Sequence, residues 1–128
     1  YFSTFAATPV AAAAGLAVLD VLQDRDVPAR AAAVGERGRG RLRELAGSHA
    51  TIGNVRGVGL VAGIDLHAPA GARNAREWAR DVLNALVGEG VMAGLTGPAG
   101  TVLKVRPPLV WTDEHADLFV GALGRVLG

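Results

Sequence analysis

Two cations on one short apolar run, Val102-Leu103-Lys104-Val105-Arg106-Pro107-Pro108-Leu109, are the residues of this chain best placed to do chemistry. In an extended strand successive side chains point to opposite faces, so Lys104 and Arg106 share one face while Leu103 and Val105 share the other. Pro107 and Pro108 lack backbone N–H groups and fix φ, so the strand should stop there and hold Arg106 at a rigid tip. A guanidinium at such a tip suits two-point capture of a carboxylate or a phosphate. The plainer alternative is a surface arginine on an edge strand, and the residues alone leave both open.

The rest of the chain reads as the frame for that run. Thr8-Pro9 has the form of an N-cap followed by proline at the first helical position, and residues 10–22 continue as a helix that is apolar almost all round. Such a helix must be buried on most sides, either as a central core helix or against a neighbouring domain or subunit. A polar break at residues 24–28 leads to a second helix over residues 29–46. Its arginines Arg37, Arg39, Arg41 and Arg43 spread around the helix without interleaved aromatics, the pattern of a solvated face and not of a nucleic-acid surface. Gly38 and Gly40 each cost that helix about 1 kcal/mol relative to alanine.

Residues 52–66 read as extended chain, with Leu60, Ala62, Ile64 and Leu66 on one face. Gly57, Gly59 and Gly63 weaken an isolated strand and so indicate that another backbone approaches closely. Asn74 caps an amphipathic helix over residues 75–87, in which Trp78, Val82, Ala85 and Leu86 follow helical spacing. A short strand at residues 91–95 is joined to the cationic run through residues 96–100, a hairpin. Thr112 then caps a last helix whose first turn carries Asp113 and Glu114, favourably placed for the helix dipole, and which turns Ala116, Phe119, Val120, Leu123 and Leu127 toward the sheet.

Composition narrows the functional classes. The 128 residues are half hydrophobic, enough for one domain with a real core. A net charge of +1 exerts no global pull on nucleic acid or acidic membranes, and the absence of cysteine excludes disulfides and thiolate metal sites. No apolar run reaches the ~20 residues of a membrane span, and the start has no secretory signal pattern, so a cytoplasmic protein is expected. His49, His67 and His115 are scattered without metal-ligand spacing and read as surface residues. Ser3 and Ser48 have no recognisable base partner, and the glycines of residues 57–63 lack the strand-to-helix order of a dinucleotide fingerprint.

Leu103-Lys104-Val105-Arg106-Pro107-Pro108-Leu109 followed by Thr112-Asp113-Glu114 resembles the C-terminal signature of class III, ornithine or 4-aminobutyrate type, pyridoxal-phosphate aminotransferases. Arg56-Gly57-Val58-Gly59-Leu60-Val61-Ala62-Gly63-Ile64-Asp65-Leu66 resembles that family's Arg-Gly-x-Gly-Leu strand. Ser3-Thr4-Phe5-Ala6-Ala7-Thr8-Pro9 resembles its Thr-Phe-Gly-Gly-Asn-Pro turn, departing from it at Ala6, Ala7 and Thr8. The three segments stand in family order and spacing, and together they cover the chain but only the final third of a family member.

The resemblance implies an α/β (α+β) fold with a small, mostly antiparallel sheet covered by helices, residues 1–128 being the C-terminal small domain of an enzyme whose cofactor domain precedes Tyr1. It implies pyridoxal 5'-phosphate as cofactor, an amino donor and a keto acid as substrates, and a homodimer through residues 4–22. Thr4, with Ser3, would contact the cofactor phosphate, and Arg106 would bind the substrate carboxylate. No catalytic residue and no metal is expected here, because the lysine that holds the cofactor covalently lies upstream in the family and Lys104 matches a different position. The isolated chain is therefore expected to be inactive. Two other readings stay open: a phospho-lyase of amino-alcohol phosphates from the same superfamily, and a non-catalytic α/β ligand-binding or interaction module.

Overall fold

The computed structural model describes Thr4 and residues 8–128. The chain divides into two compact units, Tyr1–Arg30 and Ala31–Gly128. In the first, helix α1 (Pro9–Asp24) starts where expected: the Thr8 backbone is extended and its Oγ1 accepts the Ala11 N–H at 3.3 Å. Proline at the first helical position loses nothing, because that N–H has no partner inside a helix. The expectation of a buried helix is not met within this chain, as no residue of α1 is buried and Val10 and Leu16 are 81% and 62% exposed.

Helix α2 (Val27–Ser48) begins earlier than the polar residues before it imply and runs unbroken through Gly38 and Gly40. In the second unit it is followed by β1 (Ile52–Val58), β2 (Val61–Leu66), helix α3 (Ala75–Gly88), β3 (Gly94–Thr96), β4 (Val102–Val105) and helix α4 (Asp113–Leu127). The four strands form one sheet in the order β1-β2-β4-β3, each neighbouring pair antiparallel. The α+β architecture implied by the resemblance is therefore what the chain adopts.

The single extended segment expected over residues 52–66 is corrected to a hairpin. Gly59 takes a φ of +53°, a conformation that side-chain-bearing residues adopt rarely, and folds Val58 back onto Val61. Gly57 lets the partner strand approach, since a methyl group there would overlap the Val61 carbonyl. Alternation nevertheless predicted the inward face, for Leu60, Ala62, Ile64 and Leu66 are all buried.

The core lies between one face of the sheet and the helices. Ile64 and Leu103 from the sheet, Leu42 from α2, Val82 and Leu86 from α3, and Phe119 and Leu123 from α4 form one buried cluster. In α3 the buried positions are Ala79, Val82 and Leu86, while Ala85, expected inward, is exposed. Asn74 caps α3 by accepting the Arg76 and Glu77 N–H groups. At the start of α4, the Thr112 N–H donates to His115 Nδ1 at 3.2 Å, closing the first turn.

Charged pairs fasten α2 to the start of α4. Arg37 grips the Asp113 carboxylate through Nε and Nη2, and Arg41 Nη1 reaches Asp117 at 3.0 Å. The hydrogen bonds from Arg37 hold Asp113 below the usual carboxylate range. Arg39 departs from the solvated face expected for the arginine run: it is 5% exposed, donates from Nη1 to the Gly59 carbonyl and from Nη2 to Glu36. It thereby ties α2 to the turn of the β1–β2 hairpin.

Candidate functional site

Strand β4 ends at Val105, one residue before Arg106 and two before the prolines, as their missing N–H groups require. Leu103 and Val105 are buried, whereas Lys104 and Arg106 are exposed on the opposite face, so the alternation delivers both cations to one side of the sheet. Neither carries a hydrogen bond or ion pair within the described residues. They line one recess of about 290 Å³ together with Met92, Ala93 and Gly94. Arg106 also borders a second recess of about 290 Å³, walled by Pro107, Pro108, Trp111, His115 and Leu118.

The sheet leaves space beside Lys104 on its β3 side. In register it lies opposite Gly63 on β2 and Gly94 on β3, so neither neighbouring strand puts a side chain beside it on that face. Its stem runs across Gly94, where an added Cβ would stand 3.7 Å from the lysine Cε. The other cation on this face, Arg56, is already matched, with Nη1 2.7 Å from Asp65 Oδ1. Two unmatched positive side chains thus flank an open recess, an arrangement that binds anions.

Among the described residues there is no group of three or more His, Asp or Glu side chains able to hold a metal ion. Of the residues expected to touch the cofactor, Ser3 lies outside the described residues, and Thr4 is exposed in the N-terminal unit. Thr8, where the family turn usually has asparagine, still caps α1, since either side chain offers an oxygen to the free N–H groups of the first turn.

Residues 2–127 match the family model described as Aminotransferase class-III. The chain belongs to the class III aminotransferase family. Among its relatives, this aminotransferase-family chain is 35% identical to ethanolamine-phosphate phospho-lyase homolog 1 of Caenorhabditis elegans over 99% of its own length and 28% of that protein's. It is 37% identical to the omega-aminotransferase of Caulobacter vibrioides over 98% of its own length and 27% of that protein's. A solved phospholyase from Arthrobacter in complex with phosphoethanolamine superposes with a TM-score of 0.90 at 41% identity, over 99% of this chain and 30% of that one. A transaminase solved with L-alanine gives 0.81 at 35% identity, over 93% and 28%. The chain thus spans little more than a quarter of the curated relatives it matches.

Sequence reasoning found the Lys104 and Arg106 face of this family member but missed Gly94 beside it and, on the helix-covered side of the sheet, the buried Arg39. Gly94 falls within the short strand expected at residues 91–95, and its place beside Lys104 follows only from strand register. Arg39 was grouped with its solvated neighbours, although Gly35, one helical turn earlier, carried a signal that this side of α2 meets another backbone closely.

Proposed function

We propose that residues 1–128 form the C-terminal small domain of a longer, cytoplasmic, pyridoxal-phosphate-dependent aminotransferase, whose cofactor-binding domain precedes Tyr1. The observation that carries this reading is the unmatched Lys104 and Arg106 pair at the end of β4, in a chain whose residues 2–127 match the class III family. No helix among the described residues is long and apolar enough to cross a membrane, in keeping with that reading.

In this mechanism Arg106 captures the substrate carboxylate through its planar fork and fixes the orientation of the amine end. Pro107 and Pro108 restrict the backbone that carries it, which limits the orientational freedom the substrate must lose. The exposed Thr4 hydroxyl fits the phosphate end of the cofactor, to which it would donate a hydrogen bond. Pyridoxal phosphate, when bound, would supply the electron sink that chemistry at an amine-bearing carbon requires. Lys104, the sole lysine, serves the recess beside Arg106, so the 128 residues alone are expected to catalyse no amino transfer. The uncovered apolar side chains of α1 support a homodimer in which residues 4–22 are covered.

Amino transfer is tested by incubating the full-length protein with a panel of amino donors and a keto acid, and with phosphoethanolamine, and measuring keto-acid consumption against phosphate release. Amino transfer without phosphate release supports the main reading. Phosphate release would favour the second reading, a phospho-lyase of amino-alcohol phosphates, which the similarity to the Arthrobacter phospholyase supports. A full-length protein that takes up no pyridoxal phosphate and turns over neither substrate would support a non-catalytic module. Thr4→Val is expected to weaken cofactor retention by about 1 to 3 kcal/mol, the range for a lost charge-assisted hydrogen bond. Dialysis followed by absorbance of the retained cofactor measures it, and equal retention in both proteins would remove Thr4 from the site.

A further inference from the structure

We infer that Lys104 is a specificity-determining residue that, with Arg106, makes this site selective for a doubly charged phosphate monoester over a singly charged carboxylate on the amine substrate. The inference rests on the reading above that Arg106 faces the substrate, and it concerns which anion that substrate carries, whether the amine is transferred or the phosphate is eliminated.

Three observations converge on Lys104. First, it lies two residues before Arg106 on the same strand face, an axial separation of about 7 Å, and both side chains border one recess. A tetrahedral phosphate presents three oxygens and close to two negative charges at neutral pH, so it can engage two cations approaching from different directions. A carboxylate has two coplanar oxygens and one charge, which the fork of Arg106 satisfies alone.

Second, Gly63 and Gly94 oppose Lys104 on the neighbouring strands; the Arg56 and Val102 side chains lie over Gly63, whereas only the lysine's own stem lies over Gly94, so the ammonium has a clear approach on the β3 side. Gly94 has ordinary room for a Cβ, so packing does not require glycine there; the effect of a larger residue would be to crowd or occupy the recess. Third, no carboxylate answers Lys104, although the same sheet face pairs Arg56 with Asp65. Two adjacent cations left without a counter-charge repel each other, and a dianion relieves that repulsion more than a monoanion does.

The full-length, cofactor-loaded protein is titrated with phosphoethanolamine and with β-alanine, two short amines that differ in their anion, and the ratio of the two dissociation constants is followed. Lys104→Gln removes the charge while keeping a polar side chain of similar length, and it is expected to reduce the preference for the phosphate ligand about tenfold. Lys104→Arg should keep the preference within about threefold. Gly94→Glu, which leaves Lys104 in place but sets a carboxylate beside it, should reduce the preference as Lys104→Gln does. A Lys104→Gln ratio equal to that of wild type, or equal weakening of both ligands, would overturn the inference.

The inference and the proposed function fail separately. Absorbance of bound pyridoxal phosphate reports the proposed function, whereas phosphorus NMR titration of inorganic phosphate into cofactor-free wild type and Lys104→Gln reports the anion site. Protein that takes up no cofactor but loses about tenfold in phosphate affinity on Lys104→Gln would retain the anion site and refute the enzyme reading. Equal phosphate affinity in the two proteins would overturn the anion site even in an active enzyme.

Discussion

Gly35→Ala is expected to destabilise the packing of α2 on the β1–β2 hairpin by about 3 to 5 kcal/mol. A Cβ at residue 35 would overlap the carbonyl carbon and oxygen of Gly59 and stand 3.1 Å from the Leu60 nitrogen. All three are backbone atoms of a tight turn, so no side chain can swing away to make room. Relief requires α2 to lift or the turn to unwind, and either movement pulls Arg39 Nη1 from the Gly59 carbonyl. Arg39 is buried and its Nε has no partner, so it can ill tolerate losing an acceptor. Gly40→Ala is the control on the same helix: nothing lies within 4 Å of its added Cβ, and it should gain up to about 1 kcal/mol in helix propensity. Hydrogen exchange of the α2 and β2 amides in the full-length protein measures both. Protection in Gly35→Ala matching that of wild type would contradict the close approach.

That contact also marks where the sequence stopped being readable. Periodicity located the inward residues of β2 and of α4 because burial on one face leaves a period of two or of nearly four. Asn74 was legible as a helix start because its side-chain oxygen serves N–H groups two and three residues away, and Thr112 because its partners, Glu114 and His115, are equally local. The hairpin at Gly59 was not legible, since Leu60 continues the inward alternation across the turn and hides the reversal. Arg39 escaped for a different reason. Its burial depends on the turn carbonyl twenty residues on, and Gly35, the local sign of a close backbone, does not encode which backbone that is.

The face that carries Lys104 and Arg106 was legible to the same extent and for the same reasons. Lys104 and Arg106 share a face by alternation alone, and the prolines fix the end of β4 by chemistry alone. The glycine surround of Lys104 needed the strand order β1-β2-β4-β3, in which β4 is interior and meets β2 and β3 at once. Apolar patterning in α1 implied a buried helix, but a pattern cannot say what would cover it.

Arg106→Lys in the full-length protein should lower kcat/KM for a carboxylate-bearing amine by about 10- to 100-fold, the loss expected when a bidentate, charge-assisted contact becomes a single one. Charge is conserved in this substitution, so a purely electrostatic role for residue 106 predicts little change, and the size of the loss separates geometry from charge. The two-point grip requires a planar fork held still, and the neighbouring Pro107 and Pro108 provide the fixed backbone. An ammonium on a flexible stem at the same tip cannot reproduce both bonds. Because Arg106 is exposed and carries no internal hydrogen bond or ion pair in the described structure, the substitution should leave folding untouched. Cofactor uptake should also be unaltered, so that the deficit appears in steady-state kinetics and not in bound pyridoxal phosphate. With a phosphate-bearing amine the loss should be smaller, since Lys104 still supplies the second charge and a tetrahedral dianion depends less on a planar fork. Unchanged kinetics with the carboxylate substrate would exclude Arg106 as its clamp, and an equal loss with both substrates would show that the fork, and not the paired charge, governs recognition at this strand end.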